Sequence, residues 1–327
     1  MKRFAIAFAV TVSLAWAQTP AANSGPALGF VPGRMPWQLQ PILGIPGAAR
    51  LGDPISLPQS VTQIYLAPGH AYALAAQGQA DPAALVMLRV AGVMQLNPVL
   101  AALPGALAKP DLVAFGPAGQ SLALYSQAAG EVQVFTGLPN SPQKSQDIPN
   151  VGVAALLAVS DDARAVLISD GLGNVYALAQ NTTPVPVYHT AEVSALAFLP
   201  QSHAAILCDP IFGSAALTQP VDGIQMIPQP AAACQPRAAA TTANGKTILL
   251  ACPAQHLIWS IDRTSGSIDI HSVGNSPAAF NRLSLPDTFV MSPADDAGTY
   301  WLVTWQAGAP VTSFIGASRA RLQRVEQ

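Results

Sequence analysis

Along most of the chain, a strand-like alternation of apolar and polar residues runs into a small polar turn. A second, almost continuously apolar run follows it. This unit appears at Ile64 to Leu74 with the turn Pro68-Gly69-His70, at Leu112 to Tyr125 with Gly116-Pro117-Ala118-Gly119-Gln120, and at Val153 to Ile168 with Ser160-Asp161-Asp162-Ala163-Arg164. It returns at Val193 to Cys208 around Pro200-Gln201-Ser202-His203, at Ala238 to Cys252 around Ala243-Asn244-Gly245-Lys246, and at Leu283 to Trp305 around Ala294-Asp295-Asp296-Ala297-Gly298. Alternation marks a strand with one face on a core, and a short run without it marks a strand buried on both faces. Each unit is therefore predicted to be an antiparallel hairpin. Prolines and glycines cut nearly every window long enough for an amphipathic helix, which argues against a helical solenoid of similar period.

Taking Pro68, Pro117, Ser160, Pro200, Thr242 and Pro293 as equivalent points gives spacings of 49, 43, 40, 42 and 51 residues. A strand-patterned repeat of about 45 residues is the length of one four-stranded propeller blade. The looser second half of each unit supplies the remaining strands, with third-strand candidates at Gly130 to Phe135, Gly173 to Leu178 and His256 to Asp262. The prediction is all-β: a single six-bladed β-propeller of four-stranded antiparallel blades. In the last unit only Pro310 to Ile315 is left as a further strand, so that blade lacks its fourth. Near the other end, Trp37 to Leu43 is an orphan strand. An N-terminal strand is therefore predicted to close the last blade and cover its exposed edge.

His189-Thr190-Ala191-Glu192-Val193-Ser194-Ala195-Leu196-Ala197-Phe198-Leu199-Pro200 resembles the start of a WD repeat, and Ile258-Trp259-Ser260-Ile261-Asp262 resembles its third strand. The chain from about residue 33 to residue 318 is thus similar to the WD-repeat and YVTN-type propellers of exported bacterial proteins. The resemblance implies the fold, and it implies that His189 bonds within its own blade. The full histidine–aspartate pattern is missing from the other blades, so the resemblance transfers no function.

The N-terminus carries a different pattern. Lys2 and Arg3 precede an apolar run from Phe4 to Ala17, and Ala15-Trp16-Ala17 places small residues where a signal peptidase reads them. Residues 1–17 are read as a signal peptide, 18–32 as a flexible leader, 33–318 as the propeller and 319–327 as a basic C-terminal tail. No cysteine directly follows the cleavage point, which argues against a lipoprotein anchor, and no later apolar stretch is long enough to span a bilayer. The mature chain is expected to be soluble and monomeric, in the periplasm or secreted.

Only 10% of the 327 residues are charged and the net charge is −2, which gives no electrostatic basis for binding nucleic acid. A weakly charged surface leaves room for a protein or glycan partner. Candidate chemistry is sparse. Asp170 and Asp209 follow the second strands of adjacent units and would share one rim, where two carboxylates could bind a cation or act as an acid–base pair. Asp before Gly or Pro is also ordinary turn chemistry, and this is the favoured reading. The histidines His70, His189, His203, His256 and His271 show no metal-ligand spacing. Asp296 to Trp301 resembles part of an Asp-box turn, in one copy only. No Gly-x-Ser-x-Gly nucleophile motif is present. No catalytic residue, metal or cofactor is assigned.

The three cysteines, Cys208, Cys234 and Cys252, fall in one third of the chain. Cys234 precedes the fifth unit's first strand and Cys252 ends its second. In an antiparallel pair these positions are neighbours, so Cys234–Cys252 is the preferred disulfide, with Cys208 free. Cys208–Cys234 pairing and three free thiols are the alternatives. Three functions follow: a non-catalytic binding or scaffolding propeller of the cell envelope or extracellular space, a lactonase-like or other metal-assisted hydrolase using Asp170 and Asp209, or a purely structural module without a small ligand.

Overall fold

The computed structural model describes residues 25–78, 84–89, 100–179, 183–211, 214–219, 223–227, 234–293 and 300–316. They form seven sheets, each running antiparallel throughout. Blade 1 holds β1 (Ala27–Pro32), β2 (Gln38–Leu43), β3 (Arg50–Leu51) and β4 (Ile55–Ser56). Blade 2 holds β5 (Val61–Leu66), β6 (Tyr72–Gln77), β7 (Ala84–Arg89) and β8 (Leu100–Ala102). Blade 3 holds β9 (Leu112–Phe115), β10 (Leu122–Ser126), β11 (Glu131–Thr136) and β12 (Gln143–Pro149). Blade 4 holds β13 (Leu156–Val159), β14 (Val166–Ser169), β15 (Asn174–Leu178) and β16 (Val185–His189). Blade 5 holds β17 (Ala195–Phe198), β18 (Ala205–Asp209), β19 (Ser214–Gln219) and β20 (Gly223–Ile227). Blade 6 holds β21 (Ala238–Thr241), β22 (Thr247–Cys252), β23 (Leu257–Asp262) and β24 (Ile268–Ser272). Blade 7 holds β25 (Pro277–Arg282), β26 (Thr288–Pro293), β27 (Trp301–Gln306) and β28 (Ala309–Phe314).

Why these sheets form a ring follows from the second strand of each blade. Its side chains alternate between two faces, and a neighbouring blade covers each face. On β10, Leu122 and Leu124 pack toward blade 2, while Ala123 and Tyr125 pack toward blade 4. On β22, Ile248, Leu250 and Cys252 face blade 5, and Leu249 faces blade 7. The apolar core is accordingly seven clusters, one in each seam between adjacent blades. The seam between blades 7 and 1 joins Leu28, Val31, Ile42, Ala49 and Leu51 to Leu283, Val290, Leu302 and Ile315, so the ring is closed.

The predicted blade type is thus observed, but the count of six is one short. The first five sequence units are the inner hairpins of blades 2 to 6. The sixth is out of phase: its two strands are β26 and β27, the second hairpin of blade 7. The blade's true first strand, β25, has the sequence Pro-Ala-Ala-Phe-Asn-Arg and carries too little branched apolar character to show as a strand. With β25 in place and β28 as its fourth strand, blade 7 is complete and takes no strand from the N-terminus.

The orphan strand, β2, instead belongs to a blade of its own. Its partner β1 lies within residues 18–32, read from sequence as leader, and β1 pairs with β2 from Ala27↔Leu43 to Pro32↔Leu39. The third strand of blade 1 is broken: β3 and β4 both pair with β2, separated by Gly52-Asp53-Pro54. At its edge, Gly316 bridges Arg50 in parallel, with Leu51 N donating to Gly316 O at 2.8 Å. Closure therefore runs from the C-terminal segment to blade 1, the reverse of the expected direction. Residues 1–17, read from the sequence as a signal peptide, the tail 319–327 and most of the Asp-box-like turn lie outside the described residues.

Candidate functional site

Each innermost strand ends in a tight turn leading to the second strand. These strand ends converge on one side of the disc around a cavity of about 450 Å3. Six blades line it: Leu66, Ala67, Pro68 and His70 from blade 2, Val113 to Phe115 and Pro117 from blade 3, and Leu157 to Val159 from blade 4. Blade 5 gives Leu196 to Phe198 and Ile206, blade 6 Ala239 to Thr241, and blade 7 Phe280, Asn281, Arg282 and Phe289. The walls are largely aliphatic and aromatic, and the volume lies within the ~300–1,000 Å3 of small-ligand pockets. Polar residues interrupt them at His70, Thr241, Asn281 and Arg282.

Arg282 ends β25. One terminal nitrogen donates to the carbonyl of Thr241 in blade 6, and its guanidinium carbon stands 5.7 Å from the centroid of the Phe289 ring. Burial lowers its pKa below the ordinary arginine value, opposed by the charges of Asp287 and Asp161. His70 is 5% exposed, and its Nδ1 accepts the amide N–H of Phe30 at 2.9 Å. Burial pushes its pKa down to about 4, so it is neutral at pH 7.

The rim is held by hydrogen bonds across the seams. Asp161 accepts from Ala118 N of blade 3 at 2.6 Å and from Gln201 N of blade 5 at 2.8 Å. Asp287 accepts from Ala243 N of blade 6 at 2.5 Å, and Tyr72 donates its phenol to Gly119 O at 2.7 Å. Ser284 Oγ donates to Leu28 O at 2.7 Å, which ties blade 7 to blade 1.

Asp170 and Asp209 sit elsewhere. Asp170 follows β14 and Asp209 ends β18, both on the side of the disc away from the turns that rim the cavity, and neither is among the residues that line it. Asp170 closes its own turn, accepting from Leu172 N, Asn174 N and Asn174 Nδ2 at 2.8, 3.1 and 2.7 Å. Desolvation works against ionisation, but these bonds, led by that of the Asn174 side chain, together outweigh it and hold the pKa below the ordinary carboxylate value. Asp209 is 2% exposed and accepts from Thr190 Oγ1 and from Ile211 N. One carboxylate is at the surface and one is buried, each engaged in local bonds. Among the described residues, no group of three or more His, Cys, Asp or Glu is arranged to hold a metal ion.

The other sequence candidates serve the frame. His189 Nδ1 lies 2.8 Å from Asn174 Oδ1 of the same blade, and His203 Nε2 lies 3.0 Å from Asp162 Oδ2 across the seam between blades 4 and 5. His271 Nε2 lies 3.0 Å from Ser260 Oγ and packs edge-on against Trp305. Cys234 and Cys252 form a disulfide with Cα atoms 5.4 Å apart. Cys208 is a buried thiol in the same core cluster, and burial pushes its pKa up to about 12. Arg282 escaped the sequence reading because its strand did. The available signal was a lone arginine one residue beyond Phe280-Asn281 at the end of a short small-residue run.

No protein-family model matches this sequence, and no curated protein does. Solved structures do match. A streptogramin B lyase is 12% identical over 79% of this chain and 85% of its own, with a TM-score of 0.55. A functionally unknown protein from Desulfotomaculum acetoxidans is 14% identical over 88% and 99%, with a TM-score of 0.58. A chain of the mitotic checkpoint complex is 10% identical over 95% and 89%, with a TM-score of 0.57. At these identities, what the chain shares with them is the β-propeller fold.

Proposed function

We propose that this chain is an exported, monomeric binding propeller whose ligand seat is the central cavity. The observation that carries the reading is that cavity itself: about 450 Å3, walled by the inner strands of six blades, with a few polar groups set into apolar walls. A pocket of that form admits a small molecule, or the projecting end of the protein or glycan partner that the low surface charge suits. Export is supported by the charged and apolar start of the chain and by the Cys234–Cys252 disulfide, which fits an oxidising compartment. The lactonase-like alternative gains no support from Asp170 and Asp209, because each carboxylate is engaged by its own turn and neither reaches the cavity.

Ala197 lines the cavity and belongs to none of the seam clusters, so Ala197→Trp would fill the space while leaving the blade interfaces intact. A thermal-shift screen of small molecules against wild type and Ala197→Trp is the test. The reading expects compounds that stabilise the wild type and not the variant. Compounds that stabilise both equally would place the seat outside the cavity.

A further inference from the structure

Resting on the central cavity as the ligand seat, we propose that it takes a small organic monoanion: a carboxylate anchored by Arg282 with an apolar body against the surrounding walls. Arg282 brings five N–H donors, of which one is directed at Thr241 O. It makes no salt bridge with a described carboxylate. Among the described residues, no Asp or Glu lines the cavity, and His70, neutral at pH 7, adds no charge. The cavity thus presents a single, partly desolvated positive charge, and a desolvated guanidinium is matched by a planar acceptor such as a carboxylate.

The ligand's charge is limited from outside. Asp161 and Asp287 lie close enough to act electrostatically on Arg282, while their oxygens are held by backbone N–H groups of neighbouring turns. These fixed negative charges on the rim oppose a dianion such as a phosphate monoester more strongly than a carboxylate. The rest of the anchor is set by Asn281, able to donate or accept beside the carboxylate. The body meets Phe280, Phe289, Phe115, Phe198 and the aliphatic residues of four further strands. An acid without an apolar body would leave most of that surface in water.

Isothermal titration with phenylacetate, 4-phenylbutyrate and octanoate, each beside its neutral amide, tests the inference on the wild-type chain. At least one acid is expected to bind between about tenfold and about 100-fold tighter than its amide, as removal of a charge-assisted bond predicts. Arg282→Gln is expected to bring acid and amide affinities to within about twofold of each other, and Ala197→Trp to abolish binding of both. Equal affinity for acid and amide in the wild type would overturn the anion assignment and leave the cavity as the seat. A preference surviving Arg282→Gln would overturn Arg282 as the anchor. No binding by any pair would overturn the monoanion assignment, and binding unchanged in Ala197→Trp would overturn the cavity as the seat. The wild-type acid–amide comparison decides the anion assignment even if Arg282→Gln fails to fold.

Discussion

His70 occupies an unusual combination of constraints for one side chain. Its backbone is left-handed (φ 52°), its ring is buried, and its Nδ1 accepts the Phe30 amide that docks β1 onto blade 2. Gly29 makes the approach possible, because a Cβ there would lie 2.5 Å from His70 Nδ1 and 2.6 Å from Leu283 Cδ2. Gly29→Ala should therefore destabilise by roughly 1–3 kcal/mol, the range for overpacking a filled core, measured by chemical denaturation. The imidazole also sets a pH dependence. Its pKa is about 4 when folded and 6.5 ordinarily, so between these values the unfolded chain binds the extra proton and stability falls as pH falls. The loss is complete below pH 4 and amounts to about 3 kcal/mol. His70→Asn keeps an acceptor and tolerates the left-handed backbone but does not titrate. The stability of wild type relative to His70→Asn should fall by about 3 kcal/mol as pH drops from 6.5 to 4 and be flat above that window. A constant difference over that window would show that His70 does not titrate as assigned. Asp162, whose pKa falls to about 2, acts in a separate window below pH 4.

At the scale of elements, legibility followed burial. The inner hairpins of blades 2 to 6 were readable because their second strands are buried on both faces and must be runs such as Leu122-Ala123-Leu124-Tyr125 or Ile248-Leu249-Leu250-Ala251. Blade 1 was not, because β3 and β4 are two residues each and β1 follows an Asn-Ser-Gly-Pro stretch that reads as leader. β25 is hidden because its mostly half-buried run Pro-Ala-Ala-Phe-Asn-Arg lacks branched apolar residues, and with it go the blade count and Arg282. Cys234 and Cys252 were placed on neighbouring strands by simple hairpin geometry, and Arg237 N donating to Ala251 O at 2.9 Å shows that adjacency. The disulfide closes a separation of 18 residues at the start of blade 6. In the chain-entropy picture, Cys234→Ser with Cys252→Ser should cost about 3 kcal/mol. Non-reducing peptide mapping of periplasmically folded protein should yield the Cys234–Cys252 peptide with Cys208 alkylated only after unfolding. A crosslink containing Cys208 would contradict the assignment.

For the whole molecule, the seams decide how the ring behaves. Six are crossed by continuous chain and by their own apolar clusters, while among the described residues the seam between blades 7 and 1 is held by side-chain packing and hydrogen bonds. Two residues beyond β28 reinforce it: Ile315, 2% exposed within that cluster, and Gly316, bonded on both sides of Arg50. Burying one isoleucine contributes about 1.5–3 kcal/mol, and each of the two backbone bonds about 1 kcal/mol. A chain ending at Phe314 should thus be about 3–5 kcal/mol less stable than one ending at Gly316. Because the deficit falls on one seam, it should appear first as local opening of blade 1 and only then as global unfolding. Hydrogen exchange provides the measurement: amides of β1 and β2 should exchange faster in the shorter chain, while those of β14 and β18 across the ring keep their protection. Equal protection of blade 1 in the two chains would mean that the apolar cluster alone closes the ring.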